Sequence, residues 1–179
     1  MSYYREQLES WLKELDVKAD VVLDIGGKQG NVKSRVKSWD VKEYEIRDLP
    51  EYDLQTRNPN VWSHKKNADV IFCLEVFEYI FNPIAALVNI KKVMAEGGRA
   101  YITFAFVYPH HNELEADSLR YTESGIKNMA KLAGLKIANI WYRTDRSGLL
   151  KAMYSADGMK MAKQYGHHNA TGFIVELSK

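Results

Sequence analysis

The sequence predicts an α/β fold, in which strands and helices alternate along one chain of 179 residues. The first observation is that runs such as DVIFCL (69–74) are apolar on nearly every position, as expected of strands covered by helices on both faces. The second is that segments between such runs carry apolar residues at helical spacing. This alternation is typical of a sheet with helices on both faces, whose ligand binds at the carboxyl ends of the strands.

The first half of the chain is predicted to hold a helix and several strands. Tyr4, Leu8, Trp11 and Leu15 repeat at helical spacing, which indicates an amphipathic helix within residues 1–19. The elements expected after it are a strand at 21–25, a short helix at 31–39, a strand at 44–48, a short third strand at 52–55 and a strand at 69–74.

The second half continues the alternation. Asn82 and Pro83 are typical of a helix start and the pair Gly97-Gly98 of its end, before a central strand at 99–107. Thr122 is expected to cap another helix that Gly134 closes, and strands follow at 135–143 and 171–177. Residues 144–170 are polar and contain glycine, with a weak helical signal at 153–165. No linker or repeat divides the chain, so 1–179 is predicted to be a single domain.

Composition excludes several classes of protein. Hydrophobic residues make up 46% and charged residues 27% of the chain, the proportions of a globular protein. A net charge of +2 without a dense basic run argues against nucleic-acid or membrane partners. Cys73 is the only cysteine, so no disulfide framework exists, and we expect a cytoplasmic protein. The longest nearly uncharged segment, 100–109, is too short to span a bilayer.

The stretch VVLDIGGKQG (21–30) predicts a strand that ends in a glycine-rich turn, which can bring the backbone close to a ligand. It does not fit the dinucleotide fingerprint G-x-G-x-x-G. From Gly26, that fingerprint requires glycine where Lys28 stands; from Gly27, it requires glycine where Gln29 stands. A phosphate-binding P-loop would end in Gly-Lys-Ser/Thr, which is also absent.

The same stretch resembles the first motif of class I S-adenosylmethionine-dependent methyltransferases, D-[IV]-G-x-G-x-G. Asp24, Ile25, Gly26 and Gly30 match it, and Gly27 fits at the variable place. Lys28 stands where the family has its second glycine. Its side chain could crowd the methionine end of the cofactor, or its ammonium could pair with the cofactor carboxylate.

Two further family motifs follow. An acid at the end of the second strand binds the ribose hydroxyls in the family, which here implies Asp48, with Glu45 as the alternative. The block 68–106 resembles the family's fourth strand to fifth strand, with an E-V-[LF]-E-H tail in which Tyr79 replaces histidine. Residues that carry this match are Glu75, Val76, Phe77, Glu78, Pro83, Gly97 and Gly98. The resemblance places Cys73, Leu74 and Glu75 beside the methionine end of the cofactor.

A fourth motif, P-F-x-[YW]-P-x-H followed by D-x-x-R-[YF]-T and a helix ending A-G-[FL], is similar to a subgroup found near sugar-modifying genes. The matching residues are Phe106, Tyr108, Pro109, His111, Asp117, Arg120, Tyr121, Thr122, Ala133, Gly134 and Leu135. The resemblance covers about residues 20–143. It implies a Rossmann-like, seven-stranded, mostly parallel twisted sheet with an antiparallel last strand.

The implied acceptor site lies after the fifth strand. His111 is the candidate base, because histidine titrates near neutral pH; the alternative is a loop histidine that hydrogen-bonds within 112–120. Tyr79, Tyr108, His110 and Arg120 are candidate acceptor contacts, although Arg120 and Asp117 could instead form an ion pair that orders the loop. Glu75 and Glu78 also fit a pair of acids at a helix start. The histidines have no zinc-ligand spacing, so no metal is predicted.

The sequence therefore predicts a methyltransferase that uses S-adenosylmethionine and methylates an oxygen or nitrogen of a small polar or sugar-like acceptor. The alternative is a degenerate, non-catalytic member of the fold that serves as a binding or regulatory protein, which Lys28 and Tyr79 motivate. A nucleic-acid methyltransferase is disfavoured because residues 74–77, LEVF, differ from the N/D-P-P-Y/F loop of that class. The oligomeric state is not predicted.

Overall fold

The computed structural model describes residues 2–58, 61–62, 67–109, 117–144 and 170–179. Three helices and six strands form in these ranges. In chain order they are α1 (Tyr3–Leu12), β1 (Asp16–Ile25), β2 (Ser38–Arg47), β3 (Ala68–Cys73), α2 (Pro83–Val93), β4 (Met94–Ala105), α3 (Glu123–Ala133), β5 (Lys136–Thr144) and β6 (Ala170–Ser178).

The six strands form one sheet in the order β2-β1-β3-β4-β6-β5. β1 pairs in parallel with β2 and β3, and β3 pairs in parallel with β4. β6 is antiparallel to both β4 and β5. The prediction of a Rossmann-like, mostly parallel sheet with an antiparallel last strand is confirmed, with six strands in place of seven among the described residues.

Helices cover both faces of the sheet, as predicted. Leu8 and Leu12 of α1 pack with Val22 and Phe72 on one face. The other face carries α2 and α3, whose buried residues Leu87, Ile90, Ile126 and Ala130 pack with Leu23, Ile71 and Ile102. Neighbouring residues of each central strand therefore point into different cores, which explains why these strands are apolar on almost every position.

The predicted caps of α2 and α3 are confirmed. The Asn82 side-chain oxygen accepts a hydrogen bond from the Ala85 N–H (3.3 Å), and Pro83 is the first helical residue. The Thr122 hydroxyl accepts from the Gly125 N–H (3.1 Å). Gly134 ends α3 in the left-handed conformation (φ 69°).

The predicted helix at 31–39 is wrong. A single 3₁₀ turn forms at Val32–Ser34, and β2 already begins at Ser38. Trp39 and Val41 pair with Val17 and Ala19 of β1. The helical spacing of apolar residues in this segment was misleading, because its second half continues the sheet. The N-terminal helix is also shorter than predicted, since Leu15 lies beyond α1 and its carbonyl accepts from the Lys37 N–H (3.1 Å).

The predicted third strand at 52–55 does not form. This segment is a loop whose carbonyls bind side chains: the Trp62 indole donates to the Asp53 oxygen (2.7 Å), and the Asn89 amide donates to the Leu54 oxygen (2.9 Å). The end of α2 was also misplaced. The helix ends at Val93, and Gly97 (φ 74°) lies within an irregular start of β4, where the pairing with β3 shifts register.

The helix suggested at 153–165, and most of the segment 144–170, lie outside the described residues. Within the described ranges, no helix has the length and apolar character needed to cross a membrane.

Parallel pairing brings the ends of three strands to one edge of the sheet. Ile25, the last residue of β1, pairs with Arg47 of β2 and with Cys73 of β3. The segments that follow these residues therefore lie side by side, where the rule for open α/β sheets places a ligand.

Candidate active site

Two adjoining cavities open at this edge of the sheet. The larger cavity, of about 740 Å³, lies between the glycine turn after β1, the loop 48–55 after β2 and the segment after β3. The smaller cavity, of about 290 Å³, lies between the glycine turn, α1 and Tyr108. Four residues line both cavities, so the two form one cleft: Gly26, Gln29, Glu75 and Tyr79. Such volumes are in the range of small-molecule sites.

Gly26 has to be glycine in this turn. Its φ is 82°, in the left-handed region, and its N–H donates to the Arg47 carbonyl (2.8 Å). A Cβ at this position would lie 2.5 Å from Val76 Cγ2. Gly30 has no such requirement, because an added Cβ would meet no atom closer than 3.9 Å and its φ of −172° is extended. Gly30 nevertheless lines the smaller cavity.

Asp24 lies beneath the turn and lines neither cavity. Its side chain is buried, and one carboxylate oxygen accepts from the Val32 N–H (2.9 Å) and from the Tyr44 hydroxyl (2.7 Å). Burial raises the pKa of Asp24, against the lowering effect of these hydrogen bonds. A Cβ on Gly27 would lie 2.5 Å from this carboxylate, so Gly27 lets the turn close over Asp24. Asp24 therefore positions the turn.

Lys28 extends towards the loop after β2. Its ammonium donates to the Leu49 carbonyl (2.9 Å) and pairs with Glu51 (3.2 Å). Its backbone N–H donates to Asp48 (3.3 Å). Lys28 lines the larger cavity and not the smaller one.

Asp48 follows β2 directly and lines the larger cavity, at the position that the sequence assigned to the ribose-binding acid. The Leu49 N–H donates to its second oxygen (2.8 Å). Glu45, the alternative acid, instead accepts from Arg47 (2.7 Å) within β2. Asp48 thus presents its carboxylate at the cavity with backbone donors holding it in place.

Arg47 is a buried cation in the wall of the larger cavity. Its side chain is 4% exposed and lines that cavity. Its guanidinium lies over the rings of Tyr52 and Trp62, 4.9 and 5.5 Å from their centroids. One terminal nitrogen, NH1, is buried and has no hydrogen-bond partner among the described residues. Buried donors are almost always paired in folded proteins, so this nitrogen is an exception beside the cavity.

Glu75 joins the two cavities and has an unusual backbone. It is the one residue other than glycine with positive φ (58°) among those described. Its N–H donates to the Thr103 hydroxyl (2.6 Å), and its carboxylate pairs with Arg143 (2.6 Å). Residues in such sparsely populated conformations cluster at functional sites. Leu74, just before it, lines the smaller cavity, whereas the Cys73 side chain is fully buried in the core and burial raises its pKa.

Glu78 lines the smaller cavity although its side chain is only 4% exposed. Burial, reinforced by the negative charge of Glu75, raises its pKa to about 7, although Arg143 and Arg120 lower it. This makes Glu78 a carboxyl group that can gain or lose a proton near neutral pH.

Tyrosines surround this carboxyl group. Tyr79 and Tyr108, both predicted acceptor contacts, line the smaller cavity together with Tyr4 of α1. The rings of Tyr4 and Tyr108 are 4.7 Å apart. Burial raises the pKa of Tyr4, and it raises the pKa of Tyr79 to about 12, so both phenols are neutral at physiological pH.

Arg120 orders the segment beside the cleft and does not line either cavity. It forms two contacts with Asp117 (2.5 and 2.8 Å) and donates to the Tyr108 and Pro109 carbonyls. This geometry supports the alternative that the sequence left open, a structural ion pair. His110 and His111 lie outside the described residues, so the assignment of His111 as base stays a prediction.

Sequence reasoning missed four residues of the site: Tyr4, Arg47, Glu78 and Arg143. Tyr4 and Arg143 are far from the motifs in sequence, and their long-range contacts leave no local pattern. Arg47 and Glu78 did carry a signal. Arg47 lies at the end of a predicted strand, next to an acid, and Glu78 is a second acid three residues after Glu75. Both patterns place charge at the ligand-binding edge of a parallel sheet.

The sheet has a glycine turn after its first strand, an acid after its second strand and a cleft at the same edge. Together these features define an α/β site of the nucleotide-binding type. The chain belongs to a methyltransferase family: the type 23 methyltransferase-domain model matches residues 2–162. It is a member of the S-adenosylmethionine-dependent methyltransferases, as the sequence motifs predicted. A sequence search among curated proteins finds no significant match.

Solved structures share the fold at low sequence identity. A chain of the complex between the Haloferax volcanii Trm112 methyltransferase activator and its methyltransferase superposes with a TM-score of 0.63 at 13% identity, covering 98% of this chain and 88% of that chain. The N-methyltransferase NodS from Bradyrhizobium japonicum WM9 gives 0.62 at 14%, covering 97% and 95%. Phosphoethanolamine N-methyltransferase 2 of Haemonchus contortus, in complex with S-adenosyl-L-methionine, gives 0.56 at 16%, covering 98% and 52%.

The residues of the cleft fit S-adenosylmethionine, the cofactor of this class. Gly26 has no side chain to fill the space beside the turn, and Asp48 offers acceptors at the cavity. The guanidinium of Arg47, whose NH1 has no partner among the described residues, lies in the wall of the same cavity. Among the described residues, no cluster of three potential metal ligands occurs.

Proposed function

We propose that this chain transfers the methyl group of S-adenosylmethionine to an oxygen or nitrogen of a small polar or sugar-like acceptor. The observation that carries the proposal is the division of one cleft into two cavities that meet at Glu75. One cavity has the volume and polar groups for a nucleoside, and the other is enclosed by α1 and tyrosine side chains, as a small acceptor requires.

The larger cavity is the proposed nucleoside site. The carboxylate of Asp48 has acceptor capacity left beyond its two backbone donors, and it can receive both hydroxyls of a ribose. Arg47 lines the same cavity and is the proposed charged donor to the nucleoside. The turn of Gly26, Gly27 and Lys28 forms one wall, and Asp24 holds that turn from below.

The boundary between the cavities is the proposed position of the reactive end of the cofactor. Glu75 lines both cavities and Leu74 lines the smaller one, and Cys73 fixes them by pairing with Ile25 and Ile102 in the sheet. The carboxylate of Glu75, held by Arg143, places negative charge where a cationic sulfur would bind.

The smaller cavity is the proposed acceptor site. Tyr79 and Tyr108 offer hydroxyl groups that can donate to or accept from a polar acceptor. A volume of about 290 Å³ limits the acceptor, or the part of it that enters, to a small molecule. His110 and His111 follow Tyr108 in the chain and remain predicted contacts.

The protein contributes mainly binding and alignment to this reaction. When bound, S-adenosylmethionine supplies an activated methyl group on a cationic sulfur. The cleft holds the acceptor against that group, which removes the entropy cost of bringing two molecules together in solution. The neutral phenols of Tyr4 and Tyr79 add no charge to the smaller cavity, and the buried Glu78 leaves a carboxyl group available for a proton.

Calorimetry tests the proposal. S-adenosylmethionine and S-adenosylhomocysteine are titrated into the wild-type protein and into Asp48→Asn. Asp40→Asn is the matched control, because Asp40 is an exposed acid of β2, the strand that Asp48 follows. The wild-type protein is expected to bind both ligands. Asp48→Asn should weaken this binding at least about ten-fold, and Asp40→Asn should leave it unchanged. Absence of binding of both ligands at millimolar concentration would overturn the proposal.

The position of Lys28 supports the enzyme over a non-catalytic binding protein. The alternative arose because a lysine in the glycine turn could block the methionine end of the cofactor. Its ammonium instead contacts Leu49 and Glu51 at the nucleoside side of the cleft. Lys28 does not line the smaller cavity.

A further inference from the structure

We propose that Glu78 is a catalytic residue, whose carboxylate accepts the proton that the acceptor loses when it is methylated. The inference rests on the proposed function and extends it. It assigns to Glu78 the proton-accepting role for which the sequence had offered His111.

The backbone fixes Glu78 at the cleft. It lies in the 3₁₀ turn Phe77–Tyr79 that follows β3, and its carbonyl accepts from the Ser118 and Leu119 N–H groups (2.8 and 3.2 Å). The Phe77 carbonyl, one residue earlier, accepts from the buried Tyr121 hydroxyl (2.7 Å). These bonds join the turn to the segment that leads into α3, so the position of Glu78 is set by the fold and not by a mobile surface loop.

The two acids of the cleft are in different states. Glu75 is held as a carboxylate by Arg143 at 2.6 Å. Among the described residues, no cation lies within the 4.0 Å of an ion pair from the Glu78 carboxylate. Glu78 is also the more buried of the two, and it lines only the smaller cavity. The paired acid is therefore suited to a fixed charge, and the unpaired one to proton exchange.

Among the described residues, the charged and titratable groups that interact electrostatically with Glu78 come from five parts of the chain. They are Tyr4 from α1, Cys73 from β3, Glu75 and Tyr79 from the segment after β3, Arg120 and Tyr121 from the segment before α3, and Arg143 from β5. Burial and Glu75 favour the neutral acid, and the two arginines favour the carboxylate. A carboxyl group balanced in this way has the proton affinity that a base needs near pH 7.

The step balances without a further reactant. The acceptor oxygen or nitrogen forms a bond to the methyl carbon while the carbon–sulfur bond breaks, and its electron pair stays on sulfur. The acceptor proton moves to a carboxylate oxygen of Glu78. A sulfonium cation and a carboxylate anion thereby become a thioether and a carboxylic acid, so the net charge of the cleft does not change. The proton leaves to solvent when the product departs.

This charge balance has a consequence that needs no acceptor to measure. The cationic ligand favours ionised Glu78, so its binding expels a proton, whereas the uncharged sulfur of S-adenosylhomocysteine does not. Because burial raises the pKa of Glu78 to about 7, the free protein is partly protonated there near pH 7. Binding of S-adenosylmethionine is expected to release a fraction of a proton more than binding of S-adenosylhomocysteine.

The experiment is calorimetry at pH 7 in two buffers of different ionisation enthalpy, which yields the protons released per site. In the wild-type protein, S-adenosylmethionine is expected to release more protons on binding than S-adenosylhomocysteine. In Glu78→Gln, both ligands are expected to bind and the difference to vanish. Glu96→Gln, on an acid that is 90% exposed, and His111→Asn are expected to keep the difference.

Equal proton release by the two ligands in the wild-type protein, or a difference that persists in Glu78→Gln, would overturn the role of Glu78 and leave the proposed function standing. Failure of both ligands to bind the wild-type protein would overturn both proposals. If Glu78→Gln does not fold, Glu78→Asp is measured from pH 5.5 to 8.5. A shifted midpoint of the proton release supports the proposal, and an unchanged midpoint overturns it.

Discussion

Arg143 and Glu75 form an ion pair of 2.6 Å that joins β5 to the turn after β3 at the centre of the cleft. The arginine side chain is 1% exposed. It also donates to the Tyr4 carbonyl (2.7 and 3.1 Å), and its guanidinium lies 3.1 Å from the centroid of the Tyr4 ring. One buried cation thus connects the N-terminal helix, the last part of the sheet and the residue with the unusual backbone.

Replacement of Arg143 by methionine is expected to lower the free energy of unfolding by about 3 kcal/mol, because it leaves the largely buried Glu75 carboxylate and the Tyr4 carbonyl without their partner. Urea denaturation measures this change. The double variant Arg143→Met/Glu75→Gln should recover part of the loss, since it removes the unpaired charge as well. A double variant whose loss equals the sum of the two single losses would show that the pair is not coupled.

The glycine turn offers a matched pair of substitutions. Gly26→Ala is expected to lower the free energy of unfolding by about 2 kcal/mol, because φ is 82° and the added Cβ would lie 2.5 Å from Val76. Gly30→Ala is expected to be neutral or slightly stabilising, because its φ is extended and the nearest atom is 3.9 Å away. Thermal unfolding compares the two, and equal effects would contradict this assignment of roles.

Local patterns in the sequence predicted most of the fold. The caps at Asn82 and Thr122 mark short-range hydrogen bonds, and the apolar run before Glu75 marks a strand buried on two sides. The helix predicted at 31–39 failed for a physical reason. The apolar residues of this segment fit the spacing of a helix and also that of a strand, so tertiary contacts decide between the two. Trp39 and Val41 pair with the edge of β1, and the segment therefore becomes a strand.

The site was predicted less completely than the fold. Asp48 and the glycine turn were found because family motifs lie within a few residues of each strand end. The contact of Arg143 with Glu75 spans 68 residues, and its contact with Tyr4 spans 139. No spacing in the sequence reports such contacts. The direction of the Lys28 side chain was also open, because its partners, Leu49 and Glu51, lie in a loop after another strand.

Replacement of Arg47 by methionine is expected to change binding more than stability. The loss of the pair with Glu45 and of the contacts with Tyr52 and Trp62 lowers the free energy of unfolding, whereas removal of the unpartnered NH1 raises it, so the net change should stay within about 1 kcal/mol. The dissociation constant of S-adenosylhomocysteine should rise about ten-fold, because the ligand loses a charged donor. Denaturation and calorimetry on the same preparation give both values. A fall in stability with unchanged affinity would assign Arg47 to packing alone.

Glu78 is expected to make stability depend on pH in a defined direction. Its pKa is raised from 4.5 to about 7 in the folded protein, so the folded state holds the proton more tightly than the unfolded state. The free energy of unfolding therefore falls as pH rises from about 4.5 to about 7, by on the order of 3 kcal/mol, and this contribution is constant outside that window. Glu78→Gln should remove the fall. Denaturation of both proteins from pH 4 to 8 measures it, and parallel curves would contradict the raised pKa.

Lys28 is expected to tolerate replacement by glycine, the residue of the family motif. The pair with Glu51 is exposed, with 51% and 64% of the two side chains accessible, and exposed pairs contribute little. The backbone N–H that donates to Asp48 remains in Lys28→Gly. The affinity for S-adenosylhomocysteine should therefore change by no more than about three-fold in Lys28→Gly, and by less in Lys28→Met, which keeps the side-chain stem. Calorimetry of the three proteins decides between an enzyme with a displaced lysine and a blocked site. If Lys28→Gly binds the ligand and the wild-type protein does not, the lysine closes the cleft, and the chain is a non-catalytic member of its family.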